Sequence, residues 1–304
     1  MQLSLAILLT TQVFLPAFFL IWLWWPRPAD QLAWLMRVVY GACYIAFITI
    51  LGRWDFLSTA LIFILPAVFA LAAFVSFLRV RDRRWNSAVS PVRAHGFTAA
   101  MSVFFLALAM RGLSGYGYHE TAVDLAFPFD RGQYYIGQGG STTSINNHHT
   151  DKSQRFALDI VALNRLGARA DGLMPRSLTD YVIFGRTVKS PCSGIAISTH
   201  DGVADNAIGE TNTQEPAGNY VIVACGSVRV LLGHLRAQSI GVSAGEVVAA
   251  GQTIGNVGNS GNSSEPHLHM HAYLGGTLDY NEGEGVPMTF DDRFLVRGSI
   301  VTVP

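Results

Sequence analysis

The segment Pro266-His267-Leu268-His269-Met270-His271 sets three imidazoles at a spacing of two inside a stretch that otherwise reads as strand. Strand side chains alternate between faces, so His267, His269 and His271 share one face, while Leu268, Met270 and Ala272 turn toward a core. Same-face neighbours stand ~6.6 Å apart at Cα, near enough to converge on one ion or one reacting group. Neutral imidazole is a common zinc ligand, which makes a metal site the leading reading and a plain polar strand face its alternative. Other residues offer matching chemistry. Asp159 stands in the apolar run Arg155-Phe156-Ala157-Leu158-Asp159-Ile160. An unpartnered carboxylate there would be costly, so it should meet a cation, a metal or hydrogen-bond donors. His148 and His149 precede it in a polar loop, and His234 ends a strand in Leu232-Gly233-His234-Leu235.

The elements that must hold these residues are short. Beyond residue 140, apolar stretches such as Phe156 to Val161, Tyr220 to Ala224 and Val228 to Leu232 alternate with turn signals at Gly245, Gly251, Gly255, Gly258 and Gly261. This pattern predicts an all-β, mainly antiparallel domain over 141–304, led by a Gly- and Tyr-rich linker over 114–140. Residues 201–219 read as a long polar loop, either a groove wall or a surface insertion.

The order of these motifs resembles the lysostaphin-type, or LytM-like, zinc metallopeptidases that cleave cell-wall peptides. The resemblance runs from about His148 to Leu274. It is most specific in Gly245-Glu-Val-Val-Ala-Ala-Gly251-Gln-Thr-Ile-Gly255-Asn-Val-Gly258-Asn-Ser-Gly261, followed by Ser264, Pro266 and the His267-Leu268-His269 pair. Gly218-Asn219-Tyr220-Val221-Ile222 and Gly233-His234-Leu235 resemble the family's central strands. The resemblance implies an antiparallel β groove holding one zinc ion. Asp159 and His269 would be ligands, with His234 and His267 flanking the reacting carbonyl. Two histidines and an aspartate leave a fourth position open for water, which zinc would activate for attack on a peptide bond of peptidoglycan. Asn219 is a candidate substrate contact. His271 is either a second-layer or substrate contact, or a solvated strand residue.

The family pattern places its first ligand histidine four residues before the aspartate. That position is Arg155 here, and arginine is not a zinc ligand. Two readings follow: His148 or His149 reaches in from an expanded loop, or the site is incomplete and the domain binds cell wall or activates another hydrolase. The otherwise complete motif set favours the first. A biotinyl- or lipoyl-type carrier is excluded, because the lysines Lys152 and Lys189 both lie far from the hairpin 245–261.

The first 113 residues have a different composition. They carry nine Lys or Arg against three Asp or Glu, whereas 114–304 carries twelve against eighteen. The second part thus lacks the basic surface that nucleic acid requires. Apolar runs at about 4–25, 32–51, 57–78 and 97–113 predict four helices spanning a lipid bilayer, so 1–113 reads as a membrane anchor. Few ionisable groups lie inside them, Arg37 being the main one, which argues for anchoring over transport. Trp22, Trp24, Trp25 and Trp34 suit the headgroup interface. Arg79, Arg81, Arg83, Arg84 and Arg93 cluster between the third and fourth runs, and Arg27 follows the first. By the positive-inside rule both loops are cytoplasmic, which puts the termini outside and the histidine-rich domain in the periplasm of a multi-pass inner-membrane protein. Cys192 and Cys225 would then lie where a disulfide can form, while Cys43 is a small packing residue in a span.

Overall fold

The computed structural model describes residues 2–86, 91–275 and 281–304. Its internal contacts divide the chain into two units, Met1–Trp54 with Thr59–Leu113, and Asp55–Ser58 with Ser114–Pro304.

The first unit is helical. Helices Gln2–Leu9 and Leu15–Trp22 run together through a π-helical turn at Thr10–Phe14. Gln31–Leu51, Leu61–Phe77 and Pro91–Leu113 follow. Asp30 caps the Gln31 helix by accepting from the Ala33 amide at 2.7 Å, which satisfies one of the amides a helix start leaves unpaired. Phe19, Tyr44, Ile48 and Phe69 form the interior. Gly41 permits that packing, since a Cβ there would stand 2.6 Å from the Phe69 ring. Phe63, Leu71, Phe74, Phe97, Val103 and Met110 remain exposed on the outward faces. Large apolar faces of this kind suit lipid rather than water.

The span count differs from expectation. Among the described residues three helices have the length and apolarity to cross a bilayer: Leu5–Trp22, Gln31–Leu51 and Ala94–Tyr116. The expected third span is a helix of only 17 residues, Leu61–Phe77. A 3-10 turn at Trp54–Phe56 takes up the chain before it. The shortest apolar run, 97–113, instead belongs to the longest helix, because Pro91 to Gly96 continue it. Proline suits a first helical turn, where its missing N–H costs nothing.

The second unit is built on one large sheet. Its strands lie in the order Ile300–Val303, Gly132–Gln138, Leu158–Ala162, Leu268–Leu274, Val228–Leu235, Asn219–Cys225, Gly194–His200 and Val247–Val248. Every neighbouring pair in that order is antiparallel. Glu284–Val286 also pairs with the end of Leu268–Leu274. The Gly132–Gln138 strand lies within the stretch expected as a linker. A smaller sheet contains the parallel pair Val123–Asp124 and Met288–Phe290, so the domain is mainly rather than wholly antiparallel.

Alternation along the strands puts Leu158, Ile160, Leu232, Leu268, Met270 and Ala272 in the main core. The opposite face of the same strands carries Asp159, His269 and His271, beside a smaller apolar cluster of Ala217, Ile222, Leu231 and Tyr273. Cys192 and Cys225 are joined by a disulfide with Cα atoms 5.8 Å apart, 33 positions separated in sequence. Closing a loop of that length contributes ~3.5 kcal/mol by restricting the unfolded chain. Cys192→Ala with Cys225→Ala should therefore raise the fraction cleaved within 114–304 in pulse proteolysis. Unchanged protection would show the bond to be dispensable.

Candidate active site

Register brings the site together. His269 lies opposite Asp159 on one side and Gly233 on the other, so three adjacent strands aim their groups at one point of the sheet. His269 Nδ1 stands 3.0 Å from Asp159 Oδ1. His148 Nε2 stands 3.1 Å from both Asp159 oxygens. The donor atoms of His148, Asp159 and His269 all fall within 4.8 Å of one another.

The first of the two loop histidines is placed by its neighbour. Asn146 caps the 3-10 turn Asn147–Thr150, accepting from the His148 amide at 3.1 Å. Its Nδ2 reaches the carbonyls of Gly140, Arg155 and Ala157 at 2.9, 3.3 and 3.2 Å. One buried amide thus fixes the turn to the strand that carries Asp159. His149 points elsewhere, with Nδ1 bonded to the Arg155 carbonyl at 3.1 Å. Arg155 itself pairs with Glu120 at 3.5 Å and lies over the Phe156 ring.

Electrostatics follow the geometry. Burial alone would raise the Asp159 carboxyl, but the charges of His148 and His267 and hydrogen bonds from His148 and His269 outweigh it and hold it well below the usual carboxylate range. His148 balances the other way: burial lowers it, yet Asp159 wins and leaves its pKa raised. Burial, with neighbouring imidazoles adding to it, pushes His234 and His271 well below the ordinary histidine value. His269 is also lowered, chiefly by burial. His234, His269 and His271 are thereby held in the neutral form, which offers a lone pair.

The donor set fits a zinc ion. Two imidazole nitrogens and a carboxylate oxygen are its usual partners, and donors ~2.1 Å from a tetrahedral ion stand ~3.4 Å apart. The observed edges from Asp159 to the two histidines, 3.1 and 3.0 Å, are close to that.

Two more histidines flank the cluster. His234 ends its strand at φ 58°, a left-handed conformation uncommon for any residue but glycine. The turn is held by its amide donating to Ala217 O and by its ring Nδ1 bonding the Ser260 carbonyl, at 2.9 and 2.8 Å. His267 precedes the strand proper, with Nδ1 2.9 Å from the Glu265 carbonyl and Nε2 3.7 Å from Asp159 Oδ1. A carbonyl can only accept, so both rings carry their proton on Nδ1 and present an Nε2 lone pair. Their centroids are 4.8 Å apart. The glycine-rich run 255–261 packs closely on the chain before the Asn219 strand: at Gly261, φ +78°, a Cβ would collide with the backbone of Gly218.

The remaining candidates divide. His271 is buried, with Nδ1 3.0 Å from His269 Nε2, so it is not a solvated strand residue. His269 Nδ1 can act as a ligand only if the ring proton sits on Nε2, and His271 accepts it there. Asn219 is corrected. Its side chain is fully buried and spends its amide on the backbone of Val203 and Leu235, so it braces the polar loop against the His234 strand and does not face the groove. The groove is lined by His148, His234, His269, His271, Leu231 and Asn262 among others.

Residues 183–279 match the sequence model of Peptidase family M23. The peptidoglycan DD-endopeptidase ShyA of Vibrio cholerae is 28% identical over 153 residues, 50% of this chain but only 32% of that relative's length. Among solved structures, the catalytic domain of lysostaphin from Staphylococcus simulans is 20% identical, covering 50% of this chain and 86% of its own, with a TM-score of 0.29. A zinc-containing peptidase from Vibrio cholerae is 18% identical, over 61% of this chain and 41% of its own, with a TM-score of 0.30.

Proposed function

We propose that this protein, whose second unit carries a Peptidase family M23 domain, is a membrane-anchored zinc endopeptidase that hydrolyses peptide bonds of peptidoglycan. The observation that carries the proposal is the convergence of His148, Asp159 and His269 with two further histidines, His234 and His267, beside them. A complete donor set speaks against an inactive wall-binding domain. Peptidoglycan as substrate draws on the activity named for the Vibrio cholerae relative and on the topology below.

His148 Nε2, an Asp159 oxygen and His269 Nδ1 would hold the ion. When bound, zinc polarises a peptide carbonyl and lowers the pKa of water toward 7. His234 and His267 supply the proton chemistry through Nε2. One Nε2 takes a proton from the attacking water, and the imidazolium this makes passes it to the leaving amine, while the other Nε2 accepts a hydrogen bond that orients the water. Their Nδ1 protons stay committed to Ser260 and Glu265, which keeps Nε2 free for this exchange.

The helices anchor this unit. Arg79, Arg81, Arg83 and Arg84 place the loop after Leu61–Phe77 in the cytoplasm. One helix long and apolar enough to cross, Ala94–Tyr116, separates that loop from the M23 domain. The M23 domain then lies outside, where peptidoglycan is found and where Cys192 and Cys225 can oxidise.

The test is to incubate the purified, zinc-loaded full chain with purified peptidoglycan and to weigh the released fragments by mass spectrometry. New peptide termini, absent with Asp159→Ala, are expected. A digest identical to that of Asp159→Ala would overturn the proposal.

A further inference from the structure

One buried charge in the second unit has no part in the metal cluster. The Arg169 side chain, a guanidinium with five N–H donors, is 1% exposed. It meets the Glu265 carboxylate as a fork, with Nε 3.1 Å from both oxygens and Nη2 2.6 Å from Oε2. Nη1 reaches the Leu173 carbonyl at 3.3 Å. The guanidinium carbon stands 3.3 Å from the Phe56 ring centroid and 5.5 Å from that of Tyr181. Phe56 belongs to Asp55–Ser58, the short segment of this same unit, and the Arg169 amide donates to Asp55 O at 2.8 Å.

A largely buried pair of this kind adds little net stability over apolar packing. What it fixes here is the strap from Ser263 to Pro266. The Glu265 carbonyl accepts from His267 Nδ1 at 2.9 Å, and Ser263 Oγ stands 2.9 Å from that carbonyl and 3.2 Å from the same nitrogen. Ser263 has one hydroxyl proton and also stands 2.8 Å from Asn259 Oδ1. The Glu265 carbonyl is therefore what sets which nitrogen of His267 carries hydrogen. Arg169 holds the residue whose main chain sets the ring.

We infer that Arg169 is a positioning residue for His267, acting through Glu265, and that Phe56 completes its support. Resting on the role assigned to His267 above, this makes the 55–58 segment part of the peptidase unit, so a fragment beginning at Ser114 lacks one wall of the Arg169 site. Lysine at 169 would keep the charge and lose the fork, and leucine at 56 would keep bulk and lose the π face.

The experiment uses the full chain in detergent with one zinc bound. Arg169→Lys, Glu265→Gln and Phe56→Leu should each retain zinc and KM while kcat on peptidoglycan falls 10- to 100-fold, the scale of small misplacements at a reacting centre. Phe56→Trp, which keeps an aromatic face, should restore most of the rate. A second readout does not need hydrolysis. In histidine-selective 15N spectra the His267 signal, assigned by its loss in His267→Gln, should report Nδ1–H in the native chain and mixed tautomers in Arg169→Lys and Glu265→Gln. If these variants keep the native tautomer, or lose rate only in proportion to zinc, the inference is overturned. If the native chain cuts nothing but the tautomer shifts as stated, the hydrolase reading fails while the positioning role stands.

Discussion

His148→Ala should empty the metal site and abolish hydrolysis, whereas His149→Ala should leave both within a factor of two or so. The two rings are adjacent in sequence but lie in different surroundings. His148 Nε2 stands 3.1 Å from the Asp159 oxygens, while His149 is committed to the Arg155 carbonyl. Removing one of three protein ligands should cost more than the 10- to 100-fold in affinity that follows loss of an outer partner. Metal content after dialysis against a weak chelator reads this directly. Zinc retained by His148→Ala and lost by His149→Ala would refute the ligand assignment. Acid should act on the same group. A ligand nitrogen must be deprotonated, and Asp159 raises the His148 pKa above its ordinary value. Protons therefore compete with the ion from a higher pH than at an unperturbed histidine, and zinc affinity should weaken as pH falls through that raised value.

The parts of this site that were legible in the sequence are those that depend on strand periodicity. A carboxylate in an apolar run and histidines at a spacing of two fall on one face because side chains alternate, and pairing then sets Asp159 opposite His269. The choice between His148 and His149 was not legible. It depends on a single turn, where the Asn146 amide lies within reach of three carbonyls and one ring turns in while the other turns out. Asn219 misled for a related reason. A polar residue at a strand start beside the site looks like a substrate contact, and only the fold reveals that backbone groups 16 residues away on either side consume its amide. Arg169 and Glu265 stood out in no local pattern, since the signal is a contact 96 residues apart. The helices were read from apolar length alone, which finds the lipid-facing core of a helix and misses polar turns such as Pro91 to Gly96 that extend it.

His267→Ala should keep its zinc and lose hydrolysis, and so should His234→Asn. Neither residue belongs to the donor set of His148, Asp159 and His269. Each ties its Nδ1 proton to a carbonyl and turns Nε2 toward the cluster. Asparagine is the better replacement at 234, because the backbone there is left-handed at φ 58° and asparagine tolerates that region where alanine is strained. Removing a positioned acid or base typically costs 10²- to 10⁴-fold in kcat. The double variant should be little worse than the slower single one, because the two rings share one proton transfer and groups acting as a unit are not additive. Full loss of zinc in His267→Ala, with zinc retained in His269→Ala, would exchange the two roles. That outcome conflicts with the observed spacing, since His267 Nε2 is 3.7 Å from Asp159 Oδ1 and His269 Nδ1 only 3.0 Å. The difference between these two neighbours comes from the strand itself. His269 is anchored by pairing on both sides, and His267, one step before the first paired residue, takes its aim from the strap that Glu265 holds.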